Sequence, residues 1–212
     1  NIGKAQLENG DYSQAVAVFR AALNARPNDT VARRNLARAL LFKGDLDDAL
    51  AVLAQARTEG ENLAATEYLR GLAYLRKESP ADAVSALENT VRLDPSTAAV
   101  RFQLAKTYEA LGRENDAIAQ YRETVRLDPQ HTAAHFELAM YARKQKDFET
   151  YRAELRDYKR LRDAFGDPEV SPLLLQACRH TRAEAPIIPP IQRTPHDSSG
   201  QPSIRFFEAT SI

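Results

Sequence analysis

Apolar positions along this chain recur three and four residues apart, in blocks of about a dozen residues separated by short polar breaks. The clearest block runs from Ala98 to Pro129. Leu104, Ala105 and Tyr108 share one face of a first helical segment, and Gly112 breaks it. Ala117, Tyr121 and Thr124 share one face of a second segment, which Pro129 ends. Small residues stand where two such helices would touch, and large ones stand around them. A single hairpin of this kind cannot bury its apolar face alone, so it needs copies beside it.

The copies follow at a constant step of 34 residues. The small slot reads Gly3, Ala37, Gly71, Ala105, Ala139. On the second helix, a contact slot reads Ala15, Ala49, Ala83, Ala117, Tyr151, and four residues later a bulky slot reads Phe19, Leu53, Leu87, Tyr121, Leu155. The turn slot reads Gly10, Gly44, Glu78, Gly112, Lys146, and the closing slot Pro27, Glu61, Pro95, Pro129, Asp163. The pattern predicts hairpins over about 1–29, 30–63, 64–97, 98–131 and 132–165. Within them, helices are predicted at about 30–43 and 46–59 (closed by Gly60), 64–77 and 80–93, 98–111 and 114–127, and 132–145 and 147–165. Ser171–Pro172 then starts a short capping helix within 166–185, whose Leu173, Leu174 and Ala177 would cover the last repeat.

This step and slot pattern resembles the tetratricopeptide repeat (TPR) family, over Asn1 to about Asp163. No Trp stands at the usual aromatic position, and the fifth copy has lost its Ala, Gly and Pro. The resemblance implies an all-α fold, a right-handed superhelix of about five hairpins. Each first helix would line the concave side, and each second helix would lie outside. On the concave side, the sequence then places an apolar strip of Tyr68, Leu72, Phe102, Phe136 and Met140. Arg34, Arg38, Arg76, Lys106 and Arg143 flank it. Such a groove suits an extended or helical segment of a partner protein with apolar anchors and some acidic character. The competing expectation is that the aromatic ladder packs between neighbouring repeats. Some relatives clamp a C-terminal carboxylate with Lys and Asn; here Arg34 and Arg38 occupy those places and Leu69 follows, so that specificity is not carried over.

The segment 186–212 is rich in Pro and small polar residues and cannot continue a helix. Its composition suits a linker, or an extended tail held by its own repeats or by another copy through Ile204, Phe206, Phe207 and Ile212. The last ten residues also resemble the lead-in to the FG-GAP-type β-propeller that follows such repeats in some exported bacterial proteins. A head-to-tail homo-oligomer or filament is a second expectation, since a solenoid has two open ends. The N-terminal region of a larger exported protein is a third.

Composition narrows the remaining chemistry. Lys plus Arg and Asp plus Glu are 29 each, so no net charge favours nucleic acid or a membrane surface. No run is long and apolar enough to span a membrane. The single cysteine, Cys178, excludes an internal disulfide, and Cys178-Arg179-His180 lacks the second Cys of a haem-attachment site. His131 and His135 are four apart, a spacing that can present two imidazoles to a metal. His131, however, belongs to an Asp-Pro-Gln-His turn, and no third ligand is close in sequence. No phosphate loop, nucleophile elbow or HExxH is present. The expectation is a binding protein with no catalytic residue, metal or cofactor. The chain opens at Asn1, inside a first helix, which reads as a trimmed product. A processed chain would be exported or periplasmic, an unprocessed one cytoplasmic.

Overall fold

A computed structural model describes residues 2–56 and 61–165. The predicted capping helix, Gly60 and the tail residues Ile204, Phe206, Phe207 and Ile212 lie outside those residues, as do Cys178 and the propeller-like ending. Among the described residues there are ten α-helices and no strand: α1 Ile2–Glu8, α2 Tyr12–Ala25, α3 Thr30–Lys43, α4 Leu46–Ala54, α5 Glu61–Arg76, α6 Pro80–Leu93, α7 Ala98–Ala110, α8 Glu114–Leu127, α9 Thr132–Lys144 and α10 Phe148–Phe165. None is long and apolar enough to cross a membrane. Each helix packs on the next in chain order, which makes the array a one-dimensional stack of hairpins.

The slots explain the stacking. Ala15, Ala49, Ala83 and Ala117 are all fully buried, so each second helix comes close to its partner. The bulky slot then fills the space around that approach: Leu53, Leu87 and Tyr121 are at most 2% exposed. The small slot faces it. A Cβ on Gly71 would lie 2.8 Å from Leu87 Cδ2, and one on Gly3 would lie 2.8 Å from Phe19 Cζ. In the fifth hairpin, where Tyr151 and Leu155 replace Ala and a buried residue, both are only half-buried. There α10 buries Leu161 alone, as an end helix with no following hairpin described.

The turns repeat as strictly as the core. Gly10, Gly44, Glu78, Gly112 and Lys146 all have left-handed backbone, with φ of 83°, 100°, 56°, 71° and 62°. Each is followed by the same closing bond across the helix end. Asp11 N–H donates to Gln6 O, Asp45 to Leu40 O, Ser79 to Tyr74 O, Arg113 to Tyr108 O and Asp147 to Ala142 O, all at 2.8–3.0 Å. This geometry satisfies carbonyls the helix leaves over.

The second hairpin departs from the expectation. α4 ends at Ala54 rather than near 59, closed by the short bonds Gln55 N–H to Val52 O and Ala56 N–H to Leu53 O. α5 begins at Glu61, three residues early. Glu61 stands where three other hairpins carry Pro, so nothing there forbids an early helix start.

Candidate functional site: the concave face

The inner layer consists of the odd-numbered helices. The outer helices α2, α4 and α8 each bury a narrow stripe, whereas α3 buries Ala32 and every residue from Arg34 to Leu41. α5 touches α3 as well as α4 and α6, so these two inner helices are neighbours.

The ten residues expected to line that face divide into two groups. Arg34, Arg38, Tyr68, Leu72 and Phe102 are buried. Arg76, Lys106, Phe136 and Arg143 are exposed, and Met140 is half-buried. The N-terminal part of the expected open strip is therefore buried, and its accessible part lies at the end of α5 and on α7 and α9.

Each member of the ladder has a definable role. Phe102 packs between repeats: its ring centroid is 5.6 Å from that of Tyr121 and 4.5 Å from the imidazole of His131 in the next hairpin. Phe136 holds the equivalent place one repeat later. It touches Tyr158 of α10 at 5.2 Å, yet 38% of it remains exposed. Arg76 reaches back from α5, donating to the carbonyl of Leu41 and lying 5.5 Å over the ring of Phe42. Arg38 Nη1 donates to Asn35 Oδ1 at 2.6 Å, one turn away on α3.

Lys106 belongs to a network that sequence reading did not find. It pairs with Glu109 and, at 3.2 Å, with Glu137 of the next hairpin. Glu109 also accepts from the hydroxyls of Tyr121 at 3.2 Å and Tyr141 at 3.1 Å. Burial and the nearby carboxylates push both phenols well above the usual tyrosine range, so they act as donors throughout the accessible pH range. The network ties the fourth hairpin to the fifth beneath the accessible end of the groove. It also neutralises much of the positive charge expected of Lys106. Arg143 is also exposed at that end.

The two histidines are structural. His131 is the N-cap of α9, and its Nδ1 accepts from Ala134 N–H at 3.3 Å. Burial lowers its pKa, in keeping with an unprotonated acceptor nitrogen. Both ring nitrogens of His135 face acceptors: Nδ1 lies 2.7 Å from Glu154 Oε2 and Nε2 3.2 Å from Pro129 O. The bond to Glu154 raises its pKa, against the opposing effect of burial. His135 thereby joins α9 to α10, as a charged pair when the imidazole is protonated. Among the described residues no group of three or more His, Cys, Asp or Glu is placed to hold a metal.

Family comparison matches tetratricopeptide repeats to residues 6–72, 68–131 and 102–167. Solved structures of similar shape include MamA from Desulfovibrio magneticus RS-1, at 21% identity and a TM-score of 0.69, covering 79% of this chain and 94% of that one. A further crystal structure of MamA gives 20% identity and a TM-score of 0.64, covering 77% of this chain and 94% of that one. At these identities the likeness concerns the fold alone. A search of curated proteins finds no match.

Proposed function

We infer that this chain, which belongs to the tetratricopeptide repeat family, is a scaffold that holds an extended or helical segment of another protein against its concave face. The family is one of protein-interaction scaffolds that are in general not enzymes. The observation that carries the finer reading is Phe136. It is a large aromatic side chain at a ladder position, 38% exposed, with half-buried Met140 and exposed Arg143 successively further along the same helix. An aromatic anchor beside a flexible apolar side chain and a cation suits a segment with one or two apolar residues and a carboxylate. The face is rigid there because the Glu109 network fixes α7 against α9. A displayed peptide library tests the reading. Peptides selected on the native chain should lose most of their affinity for a Phe136→Ala variant that still melts cooperatively. If they bind it unchanged, the groove assignment is wrong.

A second reading, self-assembly through the solenoid ends, is favoured by α10. Its Phe148 and Phe165 are 57% and 67% exposed on a helix that buries one residue fully. Light scattering over a concentration series checks it, and a constant monomer mass removes it.

A further inference from the structure

Partnering of the basic side chains changes along the array. Every described Lys and Arg from Lys4 to Arg113 is engaged with a partner. In the fifth hairpin, Arg143, Lys146, Arg152, Arg156 and Lys159 are all exposed, and their side chains form no hydrogen bond or ion pair among the described residues. The acids interleaved with them are taken elsewhere. Asp157 and Asp163 pair with Arg160 and Arg162, Glu154 holds His135, and Asp147 accepts from Thr150 N–H. Arg152, Arg156 and Lys159, spaced by four and three, lie within about 60° of one another on one side of α10. Like charges one turn apart repel. The same side is apolar in the earlier hairpins. Arg152 stands where Val16, Val84 and Ile118 are buried and Leu50 is half-buried. Lys159 stands where Leu23, Val91 and Val125 pack against the core. A further hairpin stacked in this register would bury both cations against apolar side chains, at heavy cost. A contact side of the outer helices has thus become, on α10, a stripe of unpaired positive charge.

We propose that the partner segment is acidic, and that it continues from Phe136 onto α10 with its carboxylates opposite Arg152, Arg156 and Lys159. The inference rests on reading Phe136 as the anchor of a bound segment. The ring of Phe136 lies against Tyr158, the residue before Lys159, so the aromatic anchor adjoins α10 directly. Arg143, two turns beyond Phe136 on α9, adds to the positive field on the other side of the anchor. Carboxylates one helical turn apart match the spacing of the three cations on α10. They would supply the charged acceptors that the hairpin itself does not, and relieve the repulsion along the stripe. Because the stripe is exposed, its share of binding is screened by salt, and it acts on partner choice and encounter more than on tightness. The chain as a whole carries no net charge, so this preference is local to the fifth hairpin.

Binding of selected peptides to the full chain tests this. Peptides displayed and selected on the native chain should be rich in Asp and Glu, and changing those residues to Asn and Gln in the peptide should weaken binding about tenfold. A chain with Arg152→Gln, Arg156→Gln and Lys159→Gln, all at exposed positions, should melt like the native chain. It should bind the acidic peptide about tenfold more weakly at about 0.15 M salt, with an affinity less sensitive to added salt. An Arg20→Gln, Arg92→Gln chain, changed on α2 and α6, should bind as the native chain does. Selected peptides with no excess of acid, or equal binding by the triple variant at every salt concentration, overturn the proposal. If Phe136→Ala still loses binding in that case, the groove reading survives and this inference alone fails. If Phe136→Ala binds unchanged, the groove reading fails and the inference falls with it. Co-sedimentation of the native chain, but not of the triple variant, with phosphatidylserine vesicles assigns the stripe to a membrane surface and also overturns the proposal.

Discussion

The five left-handed turn residues allow a clean test of how the repeats are built. Three are Gly, and two, Glu78 and Lys146, carry side chains at φ 56° and 62°. A non-glycine residue in this region costs roughly 1–2 kcal/mol. Replacing it with Gly removes that strain but adds about 0.4–1 kcal/mol of chain entropy in the unfolded state. The net gain for Glu78→Gly or Lys146→Gly is therefore about 0.5–1 kcal/mol. The reverse change, Gly44→Ala, should lose about 1 kcal/mol. Its Cβ would meet nothing within 4 Å, so the loss would report backbone strain and not a clash. Urea unfolding of the three variants measures these differences. Amide exchange at Ser79, whose N–H closes the helix onto Tyr74 O, locates the first. For an array of this size, 1 kcal/mol corresponds to a shift of about 2–4 °C in Tm. If the two Gly variants are no more stable than the native chain while Gly44→Ala is silent, the turns do not carry the strain assigned to them.

Two further outcomes follow from the packing and the charges. Gly71→Val would drive its side chain into fully buried Leu87 and should cost about 1–3 kcal/mol by urea titration; an unchanged midpoint would mean that α5 and α6 do not meet as closely as described. The His135–Glu154 pair makes stability depend on pH: because the folded pKa of His135 is raised, its contribution is fully present below the ordinary value near 6.5 and fades as pH rises through the folded value. Neighbouring Asp157 works in the same direction, while His131, held neutral by burial, opposes it by losing stability as pH falls below about 6.5. The Tm difference between the native chain and His135→Asn should shrink from about pH 5.5 to about pH 8.5, and a difference independent of pH would remove the pair as its source.

Most of the fold was legible because its signal is collective. No single Ala or Gly identifies a helix contact, but five slots stepping together by 34 residues admit few arrangements besides nested hairpins. The same step pointed to Glu78 and Lys146 as turn residues, although neither type favours φ above zero. It could also have revealed His131. Three repeats back the equivalent position is Asp29, which caps α3 by accepting from Ala32 N–H at 2.8 Å, a parallel that marks His131 as an N-cap. The second hairpin misled for the opposite reason: with Glu61 in place of Pro, the boundary between α4 and α5 has no local marker.

The candidate face was less legible, because a groove and a packed seam use the same residues. Phe102 and Phe136 occupy one slot, yet His131 and Tyr121 cover the first while the second stays exposed beside Tyr158. Which applies depends on the neighbouring repeat, and periodicity does not encode that. Arg34 and Arg38 read as solvated rims, since buried guanidinium groups are uncommon. Their burial appears only once the array is assembled.

We propose that this scaffold meets another protein on its inner layer, at the α7–α9 end. Backbone amide shifts of the full chain, recorded during titration with a peptide selected on it, test this most directly. The account predicts the largest changes at Lys106, Phe136, Met140 and Arg143, with the outer helices α6 and α8 unmoved. Shifts concentrated on α6 and α8, with Phe136 and Met140 silent, would contradict it.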